Sequence, residues 1–420
     1  MLVSCDRSLA FRVDVVAAAP SDLTIYEMIL TQCAVCATDL GLSLGKKCGR
    51  CSTRYCGPEC QVQHWEEGGH DQLCKPIKRA GGAEQYNANN KYTAAVAVAA
   101  EACADDTKGQ TCYICTEAVH RRTKEGLVRG CACRGTAGFA HVSCLAEQAK
   151  ILFAEAEENN LDNKVQNERF ERWYTCGLCE QEYHGVVKCA LGWACWKTYL
   201  GRPEGNGAYR SAMCSVGNGL YSAEHYADAL SVMEAELAMK RRIGAPENCI
   251  LTVQGNIANS YQMLGRLEDA LRVRREIYAQ RLKLSGEEHP DTIRVAICYA
   301  MELIDSRRFR DAKALTRKAP PVARRVLGNT HEYTLTLRSI YAEALYKDDA
   351  ASLDDLREAV TTFEDMEPTV RRVLGGAHPL TVATELRLQL ARAVRAREEA
   401  AQCDVSSVCE GVTAMMKGDA

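Results

Sequence analysis

Between residues 33 and 74 the sequence places cysteine and histidine side chains at spacings that hold zinc. Two CxxC pairs separated by eleven residues are followed by a CxxxC pair and an HxxxC pair. Thiolate and imidazole are the ligands of tetrahedral structural zinc, and eight of them suffice for two ions. Disulfide pairing is disfavoured, because the 23 cysteines are odd in number and charged residues interrupt any expected secretory signal. The predicted ligands are Cys33, Cys36, Cys48, Cys51, Cys56, Cys60, His70 and Cys74.

The order of these ligands resembles that of the MYND zinc finger, and we call residues 33–74 the first finger. Tyr55 precedes the fifth cysteine, and Gln61 and Trp65 follow the sixth, as in that family. Such fingers dock short proline-containing peptides, and sites with four protein ligands are structural rather than hydrolytic. The resemblance implies interleaved ligation, with Cys33, Cys36, Cys56 and Cys60 on one zinc and Cys48, Cys51, His70 and Cys74 on the other.

A second set of ligands, in the order C4HC3, spans residues 112–179, which we call the second finger. PHD and RING-CH fingers share this order. One residue between ligands three and four, and seven before the histidine, match RING-CH, as do the Cys-Arg-Gly run at 133–135 and the Cys-Leu pair at 144–145. Eight further ligands bring the expected total to four Zn²⁺ per chain. The resemblance implies cross-brace ligation, with Cys112, Cys115, His141 and Cys144 on one zinc and Cys131, Cys133, Cys176 and Cys179 on the other.

The RING-CH resemblance implies a possible enzymatic role without an active site in this chain. RING modules recruit a ubiquitin-conjugating enzyme and act by orienting it, with no nucleophile of their own. Ile114 matches the apolar residue between the first two ligands that touches the conjugating enzyme in this family. Glu180, however, follows the last ligand, where active members often carry a basic residue. Two functions therefore stay open: a protein-protein interaction scaffold, or a RING-type E3 ubiquitin ligase.

Composition and the absence of certain motifs argue against several other classes of function. A net charge of -3 provides no electrostatic footprint for nucleic acid. We expect no membrane association, because no run of about 18 apolar residues occurs. GxxxxGK[ST] and HExxH motifs are absent, so we expect no intrinsic catalytic site. Abundant free thiols predict a reducing compartment, the cytoplasm or the nucleus.

Residues 185–400 carry an internal repeat. The unit from Asn256 to Ile277 resembles a tetratricopeptide repeat, and the 42-residue length resembles the kinesin light chain type. A fixed period of this size predicts a helical solenoid, in which each unit buries its face against its neighbours. The period is marked by Gly244, Gly286 and Gly328, each 42 residues apart, and by Gly375 after 47.

Asparagines in the repeats are candidate ligand-binding residues. Tetratricopeptide units bind extended peptides on the concave face formed by the first helix of each pair. Asn218 and Asn259 are equivalent positions 41 residues apart, and Asn256 lies one turn before Asn259. Their amides could hold a peptide backbone through paired donors and acceptors. The alternative is that they are solvated polar residues.

The predicted fold is mostly α, with two small zinc-stabilised α+β finger modules followed by an α-α superhelical repeat array. Alanine-rich residues 90–104 predict a helix in the linker between the fingers. The expected partners are proteins: peptide ligands of the first finger and of the repeats, and a ubiquitin-conjugating enzyme for the second finger. The expected boundaries are an unassigned segment at 1–30, the MYND-type finger at 31–76, the linker at 77–108, the RING-CH-like finger at 109–184, the repeats at 185–400 and a frayed tail at 401–420.

Overall fold

The computed structural model describes residues 32–417 except 39 and 42–43, and for 401–417 it describes the backbone alone. The unassigned segment 1–30 lies outside the described residues. Within them the chain forms two compact units, one ending at Leu264 and the other beginning at Gly265. None of the helices in the described part is long and apolar enough to cross a bilayer.

The first finger consists of a two-stranded ribbon and two short helices. Strand β1 pairs antiparallel with β2, with Lys46 opposite Tyr55. The second helix continues through Pro76, and a break at Gly81 and Gly82, both with positive φ, then ends the module. The elements are β1 (Lys46–Lys47), β2 (Arg54–Tyr55), α1 (Pro58–Glu66) and α2 (His70–Arg79).

Helix α3 (Ala83–Ala102) begins seven residues before the helix predicted for the linker and is packed rather than free. Its Val96 and Ala99 share one buried core with the second finger and with Leu191 farther along the chain. Within the second finger, α4 (Val142–Glu158) ends where Asn160 takes a left-handed φ of 49°. Helix α5 (Asn163–Phe170) and a 3₁₀ turn (Glu171–Trp173) then lead to the last ligand pair.

Helix α6 (Gly185–Tyr199) is the central element of the first unit. Its residues 189–196 are apolar and all buried, among them Trp193, Cys195 and Trp196. A helical stretch without a polar face must be surrounded by other elements, and α6 packs against α3, α4 and the next helix. The unit is completed by α7 (Gly207–Ser222), α8 (Tyr226–Arg242) and α9 (Glu247–Met263).

The second unit is a regular array of six helices whose ends follow the repeat. The period glycines lie just after α10, α12 and α14 with positive φ, where a residue with a Cβ would be strained. Histidine side chains then cap the helices that follow. The Nδ1 atom of each accepts a hydrogen bond of 3.1–3.2 Å from the backbone N–H two residues farther on, and the three residues are His289, His331 and His378. The helices are α10 (Leu267–Ser285), α11 (Pro290–Asp305), α12 (Phe309–Leu327), α13 (Glu332–Lys347), α14 (Leu353–Leu374) and α15 (Pro379–Lys417).

One feature of the second unit differs from the sequence-based expectation. Helix α15 continues to Lys417, so residues 401–417 are helical where a frayed tail was expected. No glycine or proline occurs between Leu380 and Glu410 to end it. Cys298 is buried in the helical array, and all the finger cysteines are free thiols.

Candidate metal centres and exposed finger surfaces

All four CxxC pairs adopt the same backbone turn. The first cysteine donates its N–H to the carbonyl five residues on, at 2.8–3.0 Å. The residue after the second cysteine donates back to the carbonyl of the first, at 2.8–3.2 Å. That residue has a left-handed φ of 56–64°, which a non-glycine residue adopts only when its surroundings hold it there. The four left-handed residues are Ala37, Ser52, Thr116 and Glu180.

These turns aim hydrogen-bond donors at the sulfur atoms. In the second finger the backbone N–H groups of Ile114 and Leu178 lie 3.4 Å from the sulfurs of Cys112 and Cys176. In the first finger the Thr38 hydroxyl lies 3.0 Å from Cys36 Sγ, and this hydrogen bond lowers the pKa of the Cys36 thiol to about 6. Donors directed at sulfur stabilise the thiolate, which is the form that binds zinc.

The first finger gathers its ligands into the two groups that the MYND resemblance implied. Sγ–Sγ distances are 3.4 Å for Cys36–Cys56 and 3.9 Å for Cys48–Cys74. A tetrahedral site with Zn–S bonds of about 2.3 Å places its sulfur atoms about 3.8 Å apart. His70 takes part through Nε2, 3.4 Å from Cys51 Sγ. His70 and Cys74 reach the same ion because they lie one turn apart on α2.

The second finger likewise forms the two groups expected for cross-brace ligation. His141 Nδ1 lies 3.3 Å from Cys115 Sγ and 3.6 Å from Cys144 Sγ. Cys133 and Cys176 Sγ are 3.8 Å apart, although 43 residues separate them. In each of the four groups the ligand atoms lie within 4.8 Å of one another. Cys₄ and Cys₃His sets of this size fit four zinc ions with no open coordination position, so the sites are structural.

The buried carboxylate of Glu125, which belongs to none of the four ligand groups, helps to position two zinc ligands. Glu125 accepts a 2.8 Å hydrogen bond from the backbone N–H of Ser143 and a further bond from its hydroxyl. Ser143 lies in the first turn of α4, between His141 and Cys144, where a negative charge also favours the helix N-terminus. The sequence offered no signal for Glu125, because a single glutamate has no diagnostic spacing.

Each finger exposes apolar side chains beside its zinc groups. Ile114, predicted to face a partner, is 37% exposed, and Leu178 in the last CxxC turn is 52% exposed. Sequence reasoning missed Leu178, although both turns place an aliphatic residue directly before the second cysteine. In the first finger Val62 and Trp65 are exposed one turn apart on α1. The Trp65 ring lies 5.8 Å from that of His70, and exposed Leu73 is one turn beyond His70.

The candidate asparagines of the repeats do not form an open row. Asn256 is only 2% exposed and donates from Nδ2 to Asn218 Oδ1 at 3.3 Å. Asn218 in turn lies 3.4 Å from Cys214 Sγ, and Asn259 is half-buried. Asn256 therefore has an internal partner on α7 and is the least accessible of the three candidate asparagines. Sequence spacing cannot reveal which turn of a helix a neighbour covers.

Comparisons with known proteins agree with the two zinc modules. The family model of the MYND finger matches residues 33–74, and that of the RING-variant domain matches residues 112–161. The second match ends before Cys176 and Cys179, which the fold nevertheless brings to Cys131 and Cys133. The chain thus carries a MYND finger and a RING-variant finger. No curated protein sequence matches it.

Solved helical-repeat structures are similar over the larger part of the chain. One, from Podosopora anserina, is described as nearly identical TPR-like repeats of a kinesin light chain. It is 15% identical, with 55% of this chain and 97% of that chain covered and a TM-score of 0.38. Another is BtubC (BKLC) from P. vanneervenii, which is 12% identical. The match covers 61% of this chain and 92% of that chain, with a TM-score of 0.34.

Proposed function

We propose that the protein is a zinc-dependent interaction scaffold in which the fingers and the helical repeats each hold a protein partner. The observation that carries this proposal is the exposed apolar surface of the first finger, formed by Val62, Trp65 and Leu73. Trp side chains with aliphatic neighbours form binding hot spots, and they suit short extended peptides containing proline.

The packing of α3 supports a scaffold rather than two independent fingers. Ala83, at its start, belongs to the core of the first finger, whereas Val96 and Ala99 belong to the core of the second. One helix therefore holds both modules, and partners bound to them would keep a defined separation. The thiol ligands require a reducing environment, which favours the cytoplasm or the nucleus.

Peptide binding tests this function directly. A panel of short proline-containing peptides is titrated against the full zinc-loaded chain by fluorescence polarisation. Trp65→Ala should weaken binding of the best peptide by about thirtyfold or more, since truncation of a hot-spot aromatic costs at least about 2 kcal/mol. Leu44→Ala, an exposed apolar position of the same finger, is the matched control and should bind normally. Equal affinity for Trp65→Ala would refute this binding surface.

A ligase function is the second candidate, and the exposure of both Ile114 and Leu178 favours it. Each is an apolar side chain held out by the turn of a zinc-ligand pair, one from each group of the second finger. A shallow docking patch for a ubiquitin-conjugating enzyme needs such side chains, because a few residues supply most of the binding energy.

An in vitro ubiquitin-chain assay with a panel of conjugating enzymes separates the two functions. Ile114→Ala and Leu178→Ala should each abolish chain formation without releasing zinc, because no ligand changes. Val119→Ala, exposed in the same finger but outside the CxxC turns, should leave it unchanged. Glu180→Arg should raise activity if the missing basic residue limits it. If the wild-type protein forms no ubiquitin chains, the scaffold function stands and the ligase function is refuted. If Ile114→Ala forms ubiquitin chains as wild type does, the proposed docking surface is refuted.

The repeats are proposed to bind an extended peptide, with half-buried Asn218 and Asn259 as the candidate contacts. Asn259→Ala should weaken a bound peptide and leave the melting temperature nearly unchanged. Asn256→Ala should instead lower the melting temperature, because it removes the buried bond to Asn218. The reverse pattern would mean that Asn256, rather than Asn259, faces the peptide.

A further inference from the structure

One of the four zinc groups is accessible to solvent. In the first finger, the group made of Cys33, Cys36, Cys56 and Cys60 has two exposed ligands, Cys36 and Cys56, and Cys60 is half-buried. We call these four residues the exposed group. The other group of that finger is buried throughout, and none of the ligands of the second finger is exposed. A dissolved reagent therefore reaches the thiolates of the exposed group first.

The two accessible sulfur atoms of the exposed group lie next to each other. Cys36 Sγ is 3.4 Å from Cys56 Sγ, and Cys56 Sγ is 3.5 Å from Cys60 Sγ. A sulfur that is oxidised at Cys36 or Cys56 thus has a second thiolate within reach, as disulfide formation requires. Cys249 of α9 is also exposed but belongs to none of the four groups. Solvent access and a neighbouring thiolate occur together in the exposed group.

The exposed group also anchors α1, the helix that presents Trp65. Cys60 lies in the first turn of α1, and Cys56 lies two residues before the helix begins. None of the nine residues of α1 is fully buried, so apolar packing does little to hold the helix in place. A helix of this length is also too short to be stable alone in water. Zinc ligation therefore fixes one end of α1, and at the other end His64 Nδ1 lies 3.0 Å from the Tyr55 hydroxyl.

We propose that the exposed group is an oxidation site, at which a peroxide joins Cys36 to Cys56 and removes the zinc anchor of α1. One thiolate attacks a peroxide oxygen, the O–O bond breaks, and the sulfur becomes a sulfenic acid. The second thiolate then attacks this sulfur, which forms the disulfide and expels the oxygen. Two thiolates, one hydrogen peroxide molecule and two protons give one disulfide and two water molecules. The sulfur atoms lose two electrons, and the peroxide gains them.

Oxidation at this site controls the peptide surface of the first finger, and this part of the inference rests on the proposed function. A disulfide sulfur lacks the negative charge that binds Zn²⁺, so the exposed group keeps two thiolates and loses its ion. Helix α1 then detaches, and the surface formed by Val62, Trp65 and Leu73 comes apart. Helix α2 stays folded, because His70 and Cys74 belong to the buried group. Reduction in the presence of zinc restores the surface.

Peroxide titration of the full zinc-loaded chain tests the oxidation site without any peptide. A chromogenic chelator counts the zinc ions released, mass spectrometry after alkylation maps the disulfides, and amide hydrogen exchange follows α1 and α2. The first zinc ion should leave as Cys36 and Cys56 become linked, and α1 should lose protection while α2 keeps it. Retention of all zinc, a first disulfide between any other pair, or unchanged protection of α1 after zinc release would overturn the proposal.

A conservative ligand change distinguishes thiolate oxidation from general damage. Cys36→His keeps a zinc ligand but cannot form a disulfide, so the first zinc ion should leave about tenfold more slowly or less readily still. Cys249→Ser removes an exposed thiol outside the four groups and should behave as wild type. Metal analysis before peroxide is added checks zinc loading, and Cys56→His replaces the first variant if that variant binds fewer ions. Release at the wild-type rate from a fully loaded histidine variant would contradict the assignment.

Peptide binding then tests the link to function. Protein that carries the Cys36–Cys56 disulfide should bind the best proline-containing peptide about thirtyfold more weakly or worse, the loss expected for Trp65→Ala. Dithiothreitol with zinc should restore the affinity. If the untreated protein binds no peptide, the proposed peptide function is refuted, whereas zinc release and the protection of α1 still decide the oxidation site. If the oxidised protein binds normally, control of the peptide surface by this site is refuted.

Discussion

The two zinc fingers share one backbone turn but obtain their buried cores from different sources. In the first finger, four of the eight buried core residues are zinc ligands: Cys33, Cys48, Cys51 and Cys74. In the second finger, helices outside the ligand set contribute Val96, Ala99, Val187, Ala190 and Leu191 to the core. Zinc ligands therefore make up half of the buried core in the first finger. In the second, zinc supplements a core that the surrounding helices would build in any case.

The fingers also differ in how far solvent reaches their ligands. Cys36 and Cys56, which belong to the same group of the first finger, are exposed. In the second finger each ligand is buried or half-buried. Metal exchange and unfolding should consequently begin in the first finger.

Zinc removal should produce the largest difference between the two modules. Structural zinc supplies about 10–16 kcal/mol of apparent binding energy in small fingers, more than the whole stability of a typical domain. A chelator should first unfold residues 33–74, whereas α6 keeps its amide protection and α10–α15 stay helical. Amide hydrogen exchange measures the order in which these segments lose protection, and metal analysis measures the number of zinc ions bound per chain. Two zinc ions or fewer per chain, or simultaneous loss of protection in residues 33–74 and in α6, would contradict the comparison.

A charge placed on α3 tests whether the linker helix belongs to the second finger. Ala99 is fully buried in that core, so Ala99→Asp should cost about 2–7 kcal/mol by burying a protonated carboxyl group without a hydrogen-bond partner. Val98→Asp, at an exposed position on the same helix, should change stability by less than about 0.5 kcal/mol. Thermal melting and zinc content are the measurements. Equal melting temperatures for the two variants would show that α3 is a free linker.

The tight junction between α6 and α7, behind the second finger, should respond to one methyl group. A Cβ on Gly192 of α6 would lie 2.6 Å from the Ser215 carbonyl oxygen of α7. Gly192→Ala should therefore cost about 1–3 kcal/mol through overpacking. Gly205→Ala, where a Cβ meets nothing within 4 Å, is the control and should be neutral in denaturant unfolding. A neutral Gly192→Ala would mean that α6 and α7 are separable.

The smallest expected effect tests the feature that the fingers share. Ser52 and Thr116 occupy the same left-handed position in the two modules. Replacing either by glycine should increase stability by up to about 1 kcal/mol, because glycine adopts this conformation without steric cost. Thr116→Ala keeps the Cβ and should give no gain. Chelator titration of each finger provides the readout. A gain in one finger only would show that the turns are not energetically equivalent.

Sequence alone determined the features that depend on local spacing. The ligand pairs follow from short spacings such as CxxC and HxxxC, because a turn or a single helical turn sets the distance between such side chains. Which two pairs share an ion was implied by the MYND and RING-CH resemblances, and the structure forms the same groups. The prediction of MYND and RING-variant fingers is confirmed by the family models. The glycines that mark the repeat predicted only its period, and in the structure they lie directly after α10, α12 and α14 with positive φ, as helix C-termini favour.

Tertiary structure decided what each element is packed against. Residues 90–104 predicted a helix, but only its neighbours show that α3 joins both finger cores. Asn256 has the spacing of a ligand-binding residue, yet the contact with α7 buries it. Leu386 repeats the position of buried Ser339 and is left partly exposed because no described helix follows α15. Periodicity specifies which face of a helix a residue occupies, whereas burial depends on chain segments far away in the sequence, and local pattern does not encode these.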